Sequence, residues 1–360
     1  MSLLITTGTG PVLVSETETE YLWTPQESTN TAPPPSHLLN TQIVVLDSVK
    51  SGTRVPSKDL YKQLLQPLFS SWDLSHRYIA TTSAKSVEQY GHSLGSEKTL
   101  LIVLSGDTTI SELINSVADS VDVTILNVPL GTGNAFAHSI GLSNVVSAVS
   151  ALTSGKIHPL RTYQAVFEPG SQVVLPDGPS FAATTLNFFV VGSWGLHACL
   201  VADSDSPELR KLGNERFKIA AQQVLEKNPV FHGTFVVDGK QIEAHASLGY
   251  FVVAAVPLFE KTFEISPQSD PAEHSLHLVY FHHTTPESVV EIMTKAYQQG
   301  EHVKDPRVGY LKGSEIELEV HESDPALRRI CVDGTIVQIA GSKVVFRPRI
   351  FDGLHYLSVN

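Results

Sequence analysis

Cysteine is nearly absent from this chain: Cys199 and Cys331 are the only two in 360 residues. They stand far apart, so a disulfide scaffold is not expected and a reducing compartment fits. Basic residues are also short, with 25 Lys and Arg against 37 Asp and Glu and a formal charge of −12. A chain without basic excess is poorly equipped to neutralise a phosphate backbone, which argues against a nucleic-acid binder and against a polybasic membrane anchor. No apolar run reaches the length of a transmembrane segment, and Met1-Ser-Leu-Leu-Ile-Thr-Thr lacks the basic start of a signal peptide. The expectation is a cytoplasmic protein, any membrane contact being peripheral. Several motifs are missing too. No Gly-Lys-Ser/Thr follows a glycine loop, no G-x-G-x-x-G occurs, and no H-E-x-x-H or Cys–His arrangement accompanies the histidines. His274, His277, His282 and His283 therefore read as structural or surface residues, with no metal site of their own.

What is present is a pair of glycine-bearing turns. Leu104-Ser-Gly-Asp-Thr-Thr109 follows the apolar run from Thr99, and Pro129-Leu-Gly-Thr-Gly-Asn134 follows the run from Val123. Both read as buried strands breaking into tight loops. Each loop gathers backbone N–H groups, hydroxyls and small residues, which is what a polyphosphate requires. Asp107 places a lone carboxylate there, where a metal ion or a hydroxyl proton would need one. Alone, each loop is a weak signal, because glycines at strand-to-helix turns usually serve backbone geometry.

The chain divides into three stretches. Residues 1–40 hold a short strand-like piece and a Pro/Thr-rich linker. Residues 41–155 alternate strand and helix: a strand over Gln42–Leu46, a helix carrying Leu60, Leu64, Leu65 and Leu68, and a second stripe at Ile110, Leu113, Ile114 and Val117. Thr109 and Glu112 have capping-box spacing, and the helix that Gly155 closes takes Ser143 as its cap. This pattern predicts a parallel α/β domain with ligand loops at the carboxyl ends of its strands. Residues 156–360 read as mainly antiparallel β, with strands over Thr162–Phe167 and Ala182–Val191 among others, a hairpin turn at Asp238-Gly239, and helices opening at Ser206-Pro207 and Thr285-Pro286. The second helix is expected to run to Gly300, and a nucleotide cleft is expected between the two domains.

The two loops, in this order and separation, resemble the diacylglycerol kinase catalytic-domain family, which includes sphingosine and ceramide kinases and bacterial lipid kinases. That family carries a GGDGT-type loop and, about two dozen residues later, a P-x-G-T-x-N loop. Ser105-Gly-Asp is similar to the sphingosine kinase variant. Ser51-Gly52 stands where the family has its first-strand Asn-Pro-x-Ser-Gly turn, and Thr81-Thr82 where it has a threonine near the nucleotide. Ser193-Trp-Gly-Leu196, the segment from Ala202 to Phe217, Gly300–Val308 and Val332-Asp-Gly334 resemble later family stretches.

The resemblance implies an α/β domain like that of NAD kinases and phosphofructokinases, followed by a lipid-binding β-sandwich. It implies ATP and Mg²⁺ as cofactors and a lipid substrate at a membrane surface, and leaves a homodimer open. Asp107 would deprotonate or orient the lipid hydroxyl, or hold the metal. Ser51, Gly52, Thr82, Gly106, Thr108, Thr109, Gly131, Thr132, Gly133 and Asn134 would line the nucleotide, with Asp333 of the Val-Asp-Gly motif beside it. Arg210 and Arg216 align with arginines that reach phosphates, and Asp203 with a carboxylate that reads a sphingoid amino group. A solvated helix face explains the two arginines equally well. Three positions depart from the family pattern. Thr108 replaces a glycine where φ could need to be positive, Asp47-Ser48 replaces Asn-Pro and puts a negative charge near the phosphates, and Thr335 replaces a glutamate. They keep a second reading open, a catalytically silent nucleotide- or lipid-binding protein of the same fold. A soluble-substrate kinase of the NAD-kinase type shares only the first loop.

Overall fold

The computed structural model describes the chain except Thr53, 176–179, Asn214 and Asn360, together with the side chains of Pro207, Arg210 and 243–246. Two compact units emerge: Met1–Leu160 with Phe351–Asn360, and Arg161–Ile350.

The first unit opens with an antiparallel meander of β1 (Ser2–Thr7), β2 (Gly10–Glu16) and β3 (Tyr21–Pro25). Its inner face buries Ile5, Val12, Val14 and Tyr21. Residues 26–40 are pinned rather than acting as a free linker: Trp72 donates its indole N–H to the Ala32 carbonyl (2.8 Å), and His37 hydrogen-bonds the Leu152 carbonyl (2.9 Å). The main sheet contains β4 (Gln42–Asp47), β5 (Arg77–Ala80), β6 (Thr99–Ser105), β7 (Val123–Pro129) and β8 (Lys156–Pro159). Its order is β5, β4, β6, β7, the C-terminal strand Leu354–Ser358, then β8, with β5, β4, β6 and β7 mutually parallel. Every residue of β6 is buried, as the continuous apolar run predicts for a strand covered on both faces.

The helices are α1 (Gln66–Ser71), reached through a π-helical turn Tyr61–Leu65, then α2 (Ser86–Ser93), α3 (Asp107–Ile114), α4 (Ala135–Ser139) and α5 (Val145–Ser154). Leu60, Leu64, Leu65 and Leu68 are all buried, as their stripe predicts. Two caps differ from the sequence reading. Asn144, one residue past Ser143, caps α5, because its side chain accepts from the Ser147 N–H and Ser147 answers in a reciprocal capping box. Gly106 is the N-cap of α3, which puts Thr109 and Glu112 inside the helix.

The second unit is antiparallel β. Among the described residues one sheet of thirteen strands runs through Val191–Gly195, Lys240–Ala254 and Phe231–Val237, with Trp194, Phe231, Phe235, Phe251 and Phe346 packed in its core. The single strand expected over Ala182–Val191 is instead three short ones, Phe181–Ala182, Thr185–Phe188 and Val191–Gly195. Asp238-Gly239 forms the expected hairpin turn, with φ of 48° and 75°. Helices α6 (Leu196–Ser204), α7 (Pro207–Arg210) and α8 (Glu215–Lys227) follow the Trp194 strand. The helix capped by Thr285 ends at Ala296, short of Gly300. The largest departure is at the chain's end. Leu354–Ser358 pairs in parallel with β7 rather than joining the β-rich unit, so 156–360 is not one contiguous domain.

Candidate active site at the carboxyl edge of the parallel sheet

Because β5, β4, β6 and β7 are adjacent and parallel, the loops that follow them emerge side by side. Thr81-Thr82, Ser51-Gly52, Gly106–Thr109 and Gly131–Asn134 are thereby brought to one edge. The loops touch through backbone. The Leu130 N–H donates to the Ser105 carbonyl at 3.2 Å. A Cβ on Gly131 would lie 2.4 Å from the Gly106 Cα, and one on Gly52 would lie 2.0 Å from the Leu130 carbonyl oxygen. No side chain fits at either contact, so glycine is required there by close approach.

Side-chain hydroxyls and one amide lock the loops. Ser105 Oγ donates to Ser51 Oγ (3.0 Å) and sits 2.5 Å from Thr109 Oγ1. Asn134 adopts a left-handed φ of 56°, accepts from the Gly131 N–H and donates its amide to the Gly131 carbonyl, both at 2.9 Å. This closes the Gly131–Gly133 turn, while Thr132 stays exposed. Thr109 and Asn134 are thus buried scaffold, whereas Thr108 and Thr132 present their side chains to solvent. Thr82 is exposed and its N–H donates to Ser86 Oγ (3.0 Å); the loop contact belongs to Thr81, whose hydroxyl accepts from the Val49 N–H (3.3 Å).

Asp107 is the first residue of α3. Its carboxylate accepts the Ala135 N–H at 2.6 Å and the Phe136 N–H at 3.1 Å, capping α4 across the loops. It is therefore engaged as a cap for α4 rather than for its own helix. Burial pushes its carboxyl up to about 6, and the backbone N–H groups oppose that rise. Each oxygen retains acceptor capacity beyond one N–H.

Two departures from the family pattern find physical answers. Thr108 is helical with no positive φ, so its Cβ carries no backbone strain. The charge of Asp47 is met by Arg54, whose Nη2 donates to Asp47 Oδ1 at 2.9 Å. Arg54 also reaches carbonyls of Ser48, Ser51 and Leu104. Sequence reasoning missed it; the available signal was a basic residue two places after Ser51-Gly52.

The remaining candidates lie in the second unit. Asp333 and Gly334 have φ of 46° and 86° and form a two-residue hairpin turn joining Val332 to Thr335. The buried Asp333 carboxylate accepts three backbone N–H groups, from Phe189 (2.9 Å), Val190 (3.1 Å) and Val191 (2.7 Å). This is a structural role that the sequence reading did not assign. Asp203 is paired with Arg329 (2.6 Å), and Arg216 with Asp205 (3.2 Å). The side chain of Arg210 lies outside the described residues. One further motif is excluded by its setting. Gly91-His92-Ser93-Leu94-Gly95 spells G-x-S-x-G, but Ser93 closes α2 and its hydroxyl donates to the Tyr90 carbonyl (2.7 Å), so no strand-to-helix elbow exists there.

A parallel α/β unit with glycine loops along one sheet edge, followed in the chain by an antiparallel β unit, defines a class of two-domain folds. Within that class the chain is similar to the diacylglycerol kinase catalytic-domain family. Residues 42–165 match the diacylglycerol kinase catalytic domain, and residues 191–352 match the YegS C-terminal NAD kinase beta sandwich-like domain. Sphingosine kinase B of Dictyostelium discoideum is 29% identical over 128 residues, which is 34% of this chain and 17% of that protein's length. The crystal structure of a diacylglycerol kinase from Bacillus anthracis str. Sterne superposes with a TM-score of 0.57 at 14% identity, covering 88% of this chain and 96% of its own. A second structure from that organism gives a TM-score of 0.63 at 14% identity, with 88% and 96% covered. At this identity the solved structures speak for the fold alone.

Proposed function

We propose that the protein is an ATP-dependent lipid kinase that transfers the γ-phosphoryl group to a hydroxyl of a sphingoid base-like or diacylglycerol-like lipid. The observation that carries this reading is Asp107: a carboxylate held by two N–H groups, its pKa raised to about 6, set among three interlocked glycine loops. The glycine contacts leave backbone at the sheet edge with no Cβ in the way, which suits a polyphosphate. Ser51, Gly52, Gly106, Thr108, Gly131, Thr132 and Gly133 would line it, with Thr109 and Asn134 holding the loops in shape.

Among the described residues no group of three or more His, Cys, Asp or Glu is gathered for a metal. Mg²⁺ commonly binds through one or two carboxylates and the substrate phosphates. Asp107 would either hold that ion, which would neutralise charge on the transferring group, or serve as the base for the lipid hydroxyl. In the transfer the lipid oxygen forms the new P–O bond, the bond to the β-phosphate oxygen breaks, and Asp107 in its role as base takes the hydroxyl proton. Recognition of a lipid amino group by Asp203 would have to share the carboxylate with Arg329, which pairs with its Oδ1. A membrane-surface substrate is compatible with the described residues, none of whose helices is long and apolar enough to cross a membrane.

The test is incubation of purified protein with labelled ATP and a panel of sphingoid bases, ceramides and diacylglycerols. Label should enter one lipid class, and Asp107→Asn should slow it about 10²–10⁴-fold. Labelling of no lipid, or full turnover by Asp107→Asn, would sink the mechanism. Thr335, standing where the family pattern has a glutamate, favours a second reading, a catalytically silent binding protein, for which nucleotide would bind without turnover.

A further inference from the structure

The strand β4 ends in Asp47, and the chain must turn sharply to bring Ser51-Gly52 against Leu130. Arg54 supplies the closure. Its Nε donates to the Ser51 carbonyl (3.0 Å), and its Nη2 to the Ser48 carbonyl (3.0 Å), the Leu104 carbonyl (2.8 Å) and Asp47 Oδ1 (2.9 Å). The first two contacts draw the loop onto itself, and the third fastens it to the end of β6. Asp47 is fixed from its other side by Tyr78, whose hydroxyl donates to Oδ2 at 2.8 Å and whose ring stacks on Tyr61 with centroids 4.2 Å apart. The pair is partly shielded, with the side chains of Arg54 and Asp47 30% and 14% exposed.

We propose that the Asp47–Arg54 pair is a positioning device for nucleotide binding: Arg54 staples the loop after β4 to β6 so that Ser51-Gly52 meets Leu130 in the geometry the phosphates need. Arg54 acts through the loop and not on the reacting atoms. The nucleotide half of this inference rests on the proposed kinase function; the staple itself does not. A planar guanidinium can serve several acceptors in one plane, which a lysine ammonium cannot imitate from the same place. Asparagine at position 47 would keep an oxygen for Nη2, and the Tyr78 hydroxyl could turn to accept its amide.

The experiment compares wild type, Arg54→Met, Arg54→Lys and Asp47→Asn in a fluorescent ATP-analogue titration, in hydrogen exchange of residues 48–52, and in thermal melting. Arg54→Met should weaken nucleotide binding about tenfold or more and speed exchange in residues 48–52. Arg54→Lys should fail to restore either, although it retains the charge, and Asp47→Asn, which keeps an oxygen for Nη2 but loses the charge, should weaken binding by less than Arg54→Met. If Arg54→Met does not fold, Arg54→Lys decides. Folded arginine variants with wild-type affinity and unchanged exchange would overturn the proposal, as would full rescue by lysine. Wild type that binds no nucleotide would refute the kinase function instead, and the exchange data would still judge the staple.

Discussion

A carboxylate that accepts backbone N–H groups ordinarily has its pKa lowered, yet burial lifts Asp107 to about 6. Below that value the group is protonated and cannot receive a proton from an alcohol. Lipid phosphorylation should therefore fall on the acid side with a midpoint near 6, read as kcat/KM against pH. Asp107→Asn should cost about 10²–10⁴-fold in kcat while leaving nucleotide affinity within severalfold. The same shift has a sign in stability. The folded pKa lies above the ordinary 3.8, so between the two values the folded chain holds the extra proton. Stability from this group therefore decreases as pH rises through that window, and Asp107→Asn should flatten the slope in denaturant melts at graded pH. At Gly131 the limit is steric. Gly131→Ala forces a Cβ into the Gly106 backbone and should lose about 1–3 kcal/mol in urea unfolding, with nucleotide binding weakened.

Strands buried on both faces announce themselves as continuous apolar runs, so β4, β6 and β7 and the glycine turns after them were legible in the sequence. So was the Asp238-Gly239 turn, whose chemistry is local. What stayed hidden depends on distant partners. Asp107 caps a helix whose first N–H is 28 residues further on, and no local pattern reports that bond. The same holds for Arg54, whose acceptor at Leu104 is 50 residues away. β5 is an edge strand with mostly exposed residues and lacks the apolar signature of its neighbours. Asp333 shows how a motif can be read correctly and its work missed. Its carboxylate ties a hairpin to the start of the Val191 strand, so Asp333→Ala would leave three buried N–H groups unpaired. The expected loss is on the order of 3 kcal/mol or more, measurable by thermal melting.

At the scale of the molecule, the meander β1–β3 lies ahead of both matched domains yet belongs to the first unit. Glu16 pairs with Lys58 at 2.7 Å, Lys58 lies over the Tyr21 ring, the Tyr21 N–H donates to Gln63, and Ser57 donates to the Thr19 carbonyl. These contacts grip the segment just downstream of Ser51-Gly52. Removing Ser2–Pro25 should expose the apolar surface that buries Ile5, Val12, Val14 and Tyr21 and cost on the order of 5 kcal/mol, read by urea unfolding.

The strand Leu354–Ser358 lies between β7 and β8 in the first unit's sheet. A ribosome releasing this chain would emit β7 and β8 early and the strand that joins them only after all of Arg161–Ile350 has been made. Until then β7 has an unpaired edge and β8 has no sheet to join, so the first unit's sheet is completed only after the whole second unit has been synthesised.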